Sequence, residues 1–164
     1  MRIALDATPL VHAKTGGLAR YTSQLATALA KSFPEDEFIL VSDQTFEPPG
    51  DAPNLRAGKI PGNILERRWW SIGLSRELKR QSADLFHGVD FAVPLHASVP
   101  AVMTVHDLSP WSTDAWADAA WKARAARVRK RVPWMIRAGA ARHIITPSEA
   151  IRREVTSVLG ITGG

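Results

Sequence analysis

The fold is predicted most clearly from one stretch of the sequence, Pro100-Ala101-Val102-Met103-Thr104-Val105-His106-Asp107-Leu108. Residues 102–105 form a nearly continuous apolar run with β-branched members, and Pro100 stands in front of it. This pattern is typical of a strand that is buried on both faces, as in a parallel sheet covered by helices. The run stops at His106 and Asp107. Because ligands of open α/β sheets bind just outside the carboxyl ends of the strands, these two ionisable side chains are the best-placed candidates for chemistry.

Strands alternate with helices along the rest of the chain. Further short apolar runs predict strands over residues 2–6, 37–42, 54–57, 83–87 and 143–146. Helical spacing of apolar residues predicts helices from Leu18 to the turn before Pro34, over 63–81, from Thr113 or Asp114 to about Arg131, and from the capping Ser148 to about Leu159, with Gly160 as its stop.

Pro133 is expected to end the third of these helices and to suit the first turn of a new one. The alternation as a whole predicts an α/β fold with a doubly wound parallel sheet and right-handed crossovers. No internal repeat or domain boundary interrupts it, so we expect one Rossmann-like domain over residues 1–164.

The composition is that of an ordinary soluble protein, with 164 residues, 45% hydrophobic and 23% charged. The absence of cysteine excludes a thiol nucleophile, a disulfide framework and a thiolate metal site. No apolar run approaches the roughly 20 residues of a membrane-spanning helix, and the amino terminus is too quickly polar for a signal peptide. We therefore expect a cytoplasmic protein. Its net charge of +5 favours contact with something anionic.

Gly16 and Gly17 stand directly before the first long helix. Two glycines there let the backbone approach a phosphate, which the first N–H groups of the helix then face. A simple tight turn accounts for the pair equally well. The loop has no G-x-G-x-x-G pattern, and nine residues separate Asp6 from Gly16, which is too long for a dinucleotide-binding turn. An NAD enzyme is therefore not expected.

His87 and His106 end the fourth and fifth predicted strands. In a doubly wound sheet these strand ends lie close to the point where the strand order reverses and a cleft opens. A neutral imidazole there can bond to a sugar hydroxyl or take a proton. The alternative is that each histidine only caps its strand and bonds to local backbone. No further ligand is evident beside the two histidines and Asp107, so no metal site is predicted.

Residues 122–142 carry many basic side chains beside nearby tryptophans. The basic residues are Lys122, Arg124, Arg127, Arg129, Lys130, Arg131, Arg137 and Arg142, and the tryptophans are Trp116, Trp121 and Trp134. This pattern fits a helix at an anionic membrane surface, peripheral to the inner face, and it equally fits a solvated basic face. Arg67-Arg68-Trp69-Trp70 is a second such cluster. No nucleic-acid-binding motif accompanies either cluster, so no nucleic-acid partner is expected.

Four segments together carry a more specific signal. They are Thr15–Tyr21 (TGGLARY), Ala83–Gly88 (ADLFHG), Val105–Leu108 (VHDL) and Arg137–Glu149 (RAGAARHIITPSE). In this order and spacing the chain resembles the amino-terminal domain of a GT-B glycosyltransferase of family 4, the large retaining group.

In that family two Rossmann-like domains face each other across a cleft. The amino-terminal domain mainly binds the acceptor, and the carboxy-terminal domain holds the nucleotide-sugar. The resemblance implies that Gly16 and Gly17 approach the donor diphosphate and that His106 is catalytic, contacting the transferred sugar near the reacting centre. The substrate-binding set that it implies is completed by Arg20, His87, Asp107, Ser148 and Glu149, with the last two on the interdomain side. It implies no metal and no cofactor besides the nucleotide-sugar substrate.

The Glu-rich donor motif and the phosphate-binding Arg/Lys pair of the second domain are not among these residues. We therefore expect this chain to be one half of an enzyme and to be inactive alone. The whole enzyme is expected to transfer a sugar, with retention of configuration, to a carbohydrate or lipid-linked acceptor. Two alternatives stay open: half of a GT-B sugar-nucleotide epimerase, and a basic Rossmann-like binding module without catalysis.

Overall fold

The computed structural model of the protein describes residues 1–12, 16–94, 98–112 and 118–161. Thr15, Thr113, Asp114 and Trp116, which the sequence analysis used, lie outside this part of the chain. The strands are β1 (Arg2–Asp6), β2 (Glu37–Val41), β3 (Leu55–Ala57), β4 (Leu85–Gly88), β5 (Ala101–Thr104) and β6 (His143–Ile145). The α-helices are α1 (Thr8–His12), α2 (Gly17–Ser32), α3 (Leu74–Arg80), α4 (Ala119–Arg137) and α5 (Glu149–Leu159). A π-helical turn at Trp69–Gly73 leads into α3, and a 3₁₀ turn at Ser109–Trp111 follows β5.

The described strands form one six-stranded, all-parallel sheet in the order β3-β2-β1-β4-β5-β6. This confirms the doubly wound α/β fold. The order reverses between β1 and β4, where Leu5 lies beside His87. The carboxyl ends of β1, β4 and β5 therefore meet at one edge of the sheet, beside the point where a cleft is expected.

Alternation along the strands divides the core between the two faces of the sheet. On β2, Phe38 and Leu40 pack with Ala26 and Ala30 of α2 on one face. The other face carries Ile39 and Val41 of β2 with buried residues of β1, β4 and β5. Its helical cover comes from α3, α4 and α5, through Leu74, Leu78, Val132, Met135, Val155 and Leu159. Because both faces are covered, the central strands read as continuous apolar runs.

The final helix has the predicted ends. The Ser148 side chain accepts a hydrogen bond from the Ile151 N–H, and Gly160 adopts a left-handed conformation with φ of 64°. Only glycine reaches that region at little cost, which explains its place at the stop.

The prediction that Pro133 ends a helix is wrong, since α4 continues through it from Ala119 to Arg137. A proline removes one backbone N–H bond, here the one that would reach the Arg129 carbonyl. Val132 and Met135, on either side of it, are both buried in the core, and this packing keeps the two parts in one helix. Asp118 caps α4 by accepting a hydrogen bond from the Trp121 N–H at 2.7 Å.

Two other segments also differ from expectation. Residues 63–81 were predicted as one helix, but the chain forms turns and a π-helical turn before α3 begins at Leu74. The short helix α1 was not predicted. It starts where Asp6 accepts hydrogen bonds from both the N–H and the hydroxyl of Thr8. A carboxylate that serves a turn in this way starts a helix without any long apolar pattern.

Candidate functional site

A cavity of about 310 Å³ opens at the carboxyl ends of the central strands, beside the start of α2. Four segments line it: the start of α2, the loop after β4, the segment after β5, and α4. The lining residues are Gly17, Leu18, Tyr21, Asp90, Phe91, His106, Asp107, Ser109, Pro110 and Arg124. We call this the switch-point cavity. It brings together His106, Asp107 and Gly17 from the set predicted by sequence.

His106 lies in the wall of this cavity and is half-buried. Its Nε2 is 2.9 Å from the carbonyl oxygen of Val89, which can only accept, so Nε2 carries the hydrogen and donates it. The Tyr21 ring packs edge-on against the imidazole, with 4.4 Å between ring centroids. In the neutral ring Nδ1 is then the acceptor, able to take a hydrogen bond or a proton.

His87 lies one layer deeper and does not line the cavity. Its Nε2 is 2.8 Å from Thr104 Oγ1, and that hydroxyl is 3.4 Å from the Tyr21 hydroxyl. Burial, helped by the nearby His106, lowers the pKa of His87 to about 4, so its ring is neutral at pH 7. His87 therefore reaches the cavity only through Thr104 and Tyr21.

Asp90 and Arg124 form an ion pair in the cavity wall that the sequence analysis missed. Burial raises the pKa of Asp90, against the opposing pull of the Arg124 guanidinium. Asp90 comes soon after β4, so the rule that pointed to His106 could also have found it. No local signal points to Arg124, which is distant in sequence and comes from α4.

Asp6 ends β1 and is nearly inaccessible to solvent, with 2% of its surface exposed. Its Oδ1 accepts hydrogen bonds from Thr8 N at 3.0 Å and Thr8 Oγ1 at 2.8 Å. Burial outweighs these bonds and raises the pKa of Asp6 to about 7. The carboxyl group is therefore only partly ionised at neutral pH.

Gly16 and Gly17 stand at the N-terminus of α2, as predicted. Gly16 is the N-cap in an extended conformation, and Gly17 is the first helical residue. A Cβ atom added at Gly17 would meet no atom within 4 Å, so the space in front of this helix start is open. Arg20 is exposed and lines a different cavity, with Leu10 and Phe46, so the fold does not bring it to His106.

The remaining predicted residues serve local structure. Asp107 lines the switch-point cavity, and its Oδ1 accepts a hydrogen bond from the Ser109 N–H at 2.8 Å. Ser148 caps α5, and Glu149 forms an ion pair with Arg152 at 2.7 Å. Both of these are exposed and follow β6, the edge strand, so they do not line the cavity around His106.

A comparison with known protein families decides the classification. The model of the family described as Glycosyltransferase Family 4 matches residues 15–164. The chain belongs to glycosyltransferase family 4. No curated protein matches the sequence.

Membership of glycosyltransferase family 4 implies a nucleotide-sugar donor and an acceptor. The six-stranded parallel sheet is that of a GT-B amino-terminal domain. Within the described ranges, this family 4 domain has no cluster of three or more histidines or acids that could hold a metal ion. In the same residues, no helix is long and apolar enough to cross a membrane.

Proposed function

We propose that this family 4 domain is the acceptor-side half of a retaining GT-B glycosyltransferase and that sugar transfer takes place at the switch-point cavity. One observation carries the proposal: the His106 ring lies in the cavity wall with Nδ1 as its acceptor atom, in the same cavity as the start of α2. The donor sugar would occupy this space, with the nucleotide held by a second domain.

The transfer forms a bond from an acceptor hydroxyl oxygen to the anomeric carbon and breaks the bond from that carbon to the diphosphate. Negative charge builds on the leaving diphosphate, and the proton of the acceptor hydroxyl passes to a diphosphate oxygen. The main catalytic need is therefore electrostatic stabilisation of the diphosphate. The N-terminus of α2, with its orphan N–H groups and its Gly16-Gly17 backbone, supplies part of it. His106 holds a hydroxyl of the transferred sugar.

The substrate-binding roles of Arg20, His87, Ser148 and Glu149 have less support, because none of them lines the cavity. His87 acts through Thr104 and Tyr21, which back the cavity wall. Ser148 and Glu149 are exposed beyond the edge strand, where a second domain could contact them. We propose further that the 164-residue chain alone does not transfer sugar, since the donor half is not among its residues.

Contact with an anionic membrane also stays a prediction. Three of the basic residues counted for it bond to groups outside α4: Arg124 with Asp90, Arg129 with the Pro110 carbonyl, and Arg131 with the Val93 carbonyl. Trp134 of the same helix is exposed. The basic side chains left for a membrane are therefore fewer than the sequence suggested.

Replacing Gly17 by alanine tests the placement of the donor. The added methyl group fits the folded chain without contact, and alanine suits a first helical turn, so the melting temperature should not fall. If the diphosphate lies against this backbone, the methyl group displaces it. We expect the KM for the nucleotide-sugar to rise about tenfold, which corresponds to roughly 1.4 kcal/mol of lost binding. The measurement is steady-state transfer by the two-domain protein.

The matched control is Gly62→Ala, at another glycine whose added Cβ meets no atom within 4 Å and which lies in a loop away from the cavity. An unchanged KM for the nucleotide-sugar in Gly17→Ala would show that the diphosphate does not bind at the N-terminus of α2. Conversion of the nucleotide-sugar into its epimer, with no acceptor present, would favour the epimerase alternative.

A further inference from the structure

A second, larger cavity of about 880 Å³ adjoins the switch-point cavity. The two share Leu18, Asp90, Phe91 and Arg124, so the Asp90–Arg124 ion pair lies at their common wall. We call this larger space the α4 groove, because one face of α4 forms its side. That face presents Arg124, Arg127, Val128, Arg131 and Val132.

The acids of the α4 groove lie at or just after strand ends, whereas its arginines come from α4. They are Asp6, Asp43 and Asp90. Asp90 is neutralised by Arg124, and burial leaves Asp6 only partly ionised at neutral pH, with a pKa of about 7. Arg127 and Arg131 form no ion pair with any carboxylate among the described residues. The α4 side of the groove therefore carries two arginines without an ion-pair partner in the described part of the chain.

Arg131 is the more informative of these two arginines. It is half-buried, and its guanidinium lies 5.8 Å from the centre of the Trp70 ring. Its Nη2 donates to the Val93 carbonyl at 2.9 Å, and its Nε points at the Met135 sulfur, a weak acceptor. Loss of hydration lowers its pKa without a compensating acid. A guanidinium held in this way is costly unless an anion completes its surroundings.

Arg127 stands one turn earlier on the same face. Its side chain is exposed, and its Nε donates a hydrogen bond to the Ala123 carbonyl of its own helix at 3.3 Å. Residues four apart on a helix are neighbours on its surface, so the two guanidinium groups can hold one anion between them. Planar guanidinium groups bind phosphate oxygens with paired hydrogen bonds.

We infer that the acceptor of this enzyme carries a phosphate group and that Arg127 and Arg131 bind it in the α4 groove. Arg131 lies seven residues beyond Arg124, which is about 10 Å along a helix. This places the phosphate about one or two sugar rings from the switch-point cavity. That the bound phosphate belongs to an acceptor rests on the proposed function. The binding of phosphate itself does not depend on catalysis.

The test is phosphate binding by the 164-residue chain. The probes are inorganic phosphate, glycerol 3-phosphate with glycerol as its neutral counterpart, and vesicles of phosphatidylglycerol in phosphatidylcholine against vesicles of phosphatidylcholine alone. The readout is the ¹⁵N shift of the arginine Nε–H groups. We expect saturable shifts at Arg127 and Arg131 and at least an about tenfold loss of affinity in Arg127→Gln and in Arg131→Gln, since hydrogen bonds to charged groups are the strong ones.

The control variant is Lys130→Gln, which removes the same charge from the same helix at a residue that does not line the groove. If the native chain binds glycerol 3-phosphate and only the two arginine variants lose this binding, the result supports a soluble phosphorylated acceptor. The same pattern with phosphatidylglycerol vesicles alone supports a lipid headgroup. Equal loss in Lys130→Gln, or no saturable shift with any probe, overturns the inference.

Arg131→Gln loses a bond to Val93 and can unfold the protein. Arg127→Gln then decides, because among the described residues its side chain bonds only to a carbonyl of its own helix. Phosphate binding by the 164-residue chain, together with no sugar transfer by a protein that also carries the proposed donor domain, would contradict the proposed function alone. Sugar transfer at an unchanged rate with no phosphate binding would contradict this inference alone.

Discussion

His87 and Asp6 are ionisable side chains buried at the ends of neighbouring strands, and burial shifts their pKa values in opposite senses. The pKa of His87 is lowered to about 4, and that of Asp6 is raised to about 7. Each shift favours the neutral form. The groups buried at these two strand ends are therefore held wholly or partly neutral, while Asp90, Asp107 and Arg124 line the cavity that contains His106.

The pH dependence of stability follows from the His87 pKa. An unfolded histidine titrates near 6.5, so between about pH 6.5 and 4 the unfolded chain binds more protons than the folded one. The stabilisation is present above pH 6.5 and is lost as the pH falls. The variant His87→Gln keeps a polar atom for Thr104 but has no group that titrates in this range. We expect its free energy of unfolding to fall by about 3 kcal/mol less than that of the native protein between pH 7 and pH 4.

Urea unfolding at several pH values measures this difference. Asp6 acts in the opposite sense, since its raised pKa makes stability fall as the pH rises from about 4 to 7. The native protein and the variant both contain Asp6, so its contribution cancels in the difference between their stability curves. His143→Gln, at an exposed histidine, is the control. Parallel stability curves for the native protein and His87→Gln would show that His87 titrates normally.

At the scale of elements, Glu77 joins α3 to the edge of the sheet. Its side chain is 1% exposed, and its Oε1 accepts hydrogen bonds from Lys59 N at 2.7 Å and Gln81 Nε2 at 2.6 Å. Its Oε2 accepts from Arg80 Nη1. The loop after β3 and the helix that follows it thus share one buried carboxylate.

Glu77→Ala should therefore lower the free energy of unfolding by about 3 kcal/mol, because it leaves buried donors without an acceptor. Chemical denaturation measures the change. Glu154→Ala, at an exposed glutamate of α5, should change it by less than about 0.5 kcal/mol. A loss no larger than that of the control would mean that water replaces the carboxylate.

The elements predicted well from sequence are those whose pattern is local. The six strands were predicted because each is a short apolar run between turn residues. The continuation of α4 through Pro133 could not be predicted in this way, since it depends on the burial of Val132 and Met135 against distant strands. The π-helical turn before α3 likewise has no local signal.

The site was predictable to the same extent. The switch-point cavity contains His106, Asp107 and Gly17 because strand ends and helix starts meet where the strand order reverses. The general rule for ligand sites in open α/β sheets predicts this from the fold alone. The Asp90–Arg124 pair and the α4 groove depend on how α4 lies across the sheet, and spacing in the sequence does not contain that information.

At the scale of the whole molecule, the two cavities form a continuous surface along the carboxyl edge of the sheet. The smaller contains His106, and the larger leads from the Asp90–Arg124 pair to Arg131. This arrangement suits a donor sugar at one end and an acceptor that reaches it from the other. In this arrangement, the proposed sugar transfer takes place beside His106.

The deciding measurement is the turnover of His106→Ala in a protein that also carries the proposed donor domain. The melting temperature is measured on the same sample, and His143→Ala is the control. The imidazole is half-buried and bonds to one carbonyl, so its loss should leave the melting temperature nearly unchanged. Turnover should fall roughly 100- to 1,000-fold, the effect of losing one well-placed polar contact to the reacting sugar. A protein with a lower melting temperature and normal turnover per folded molecule would contradict the account.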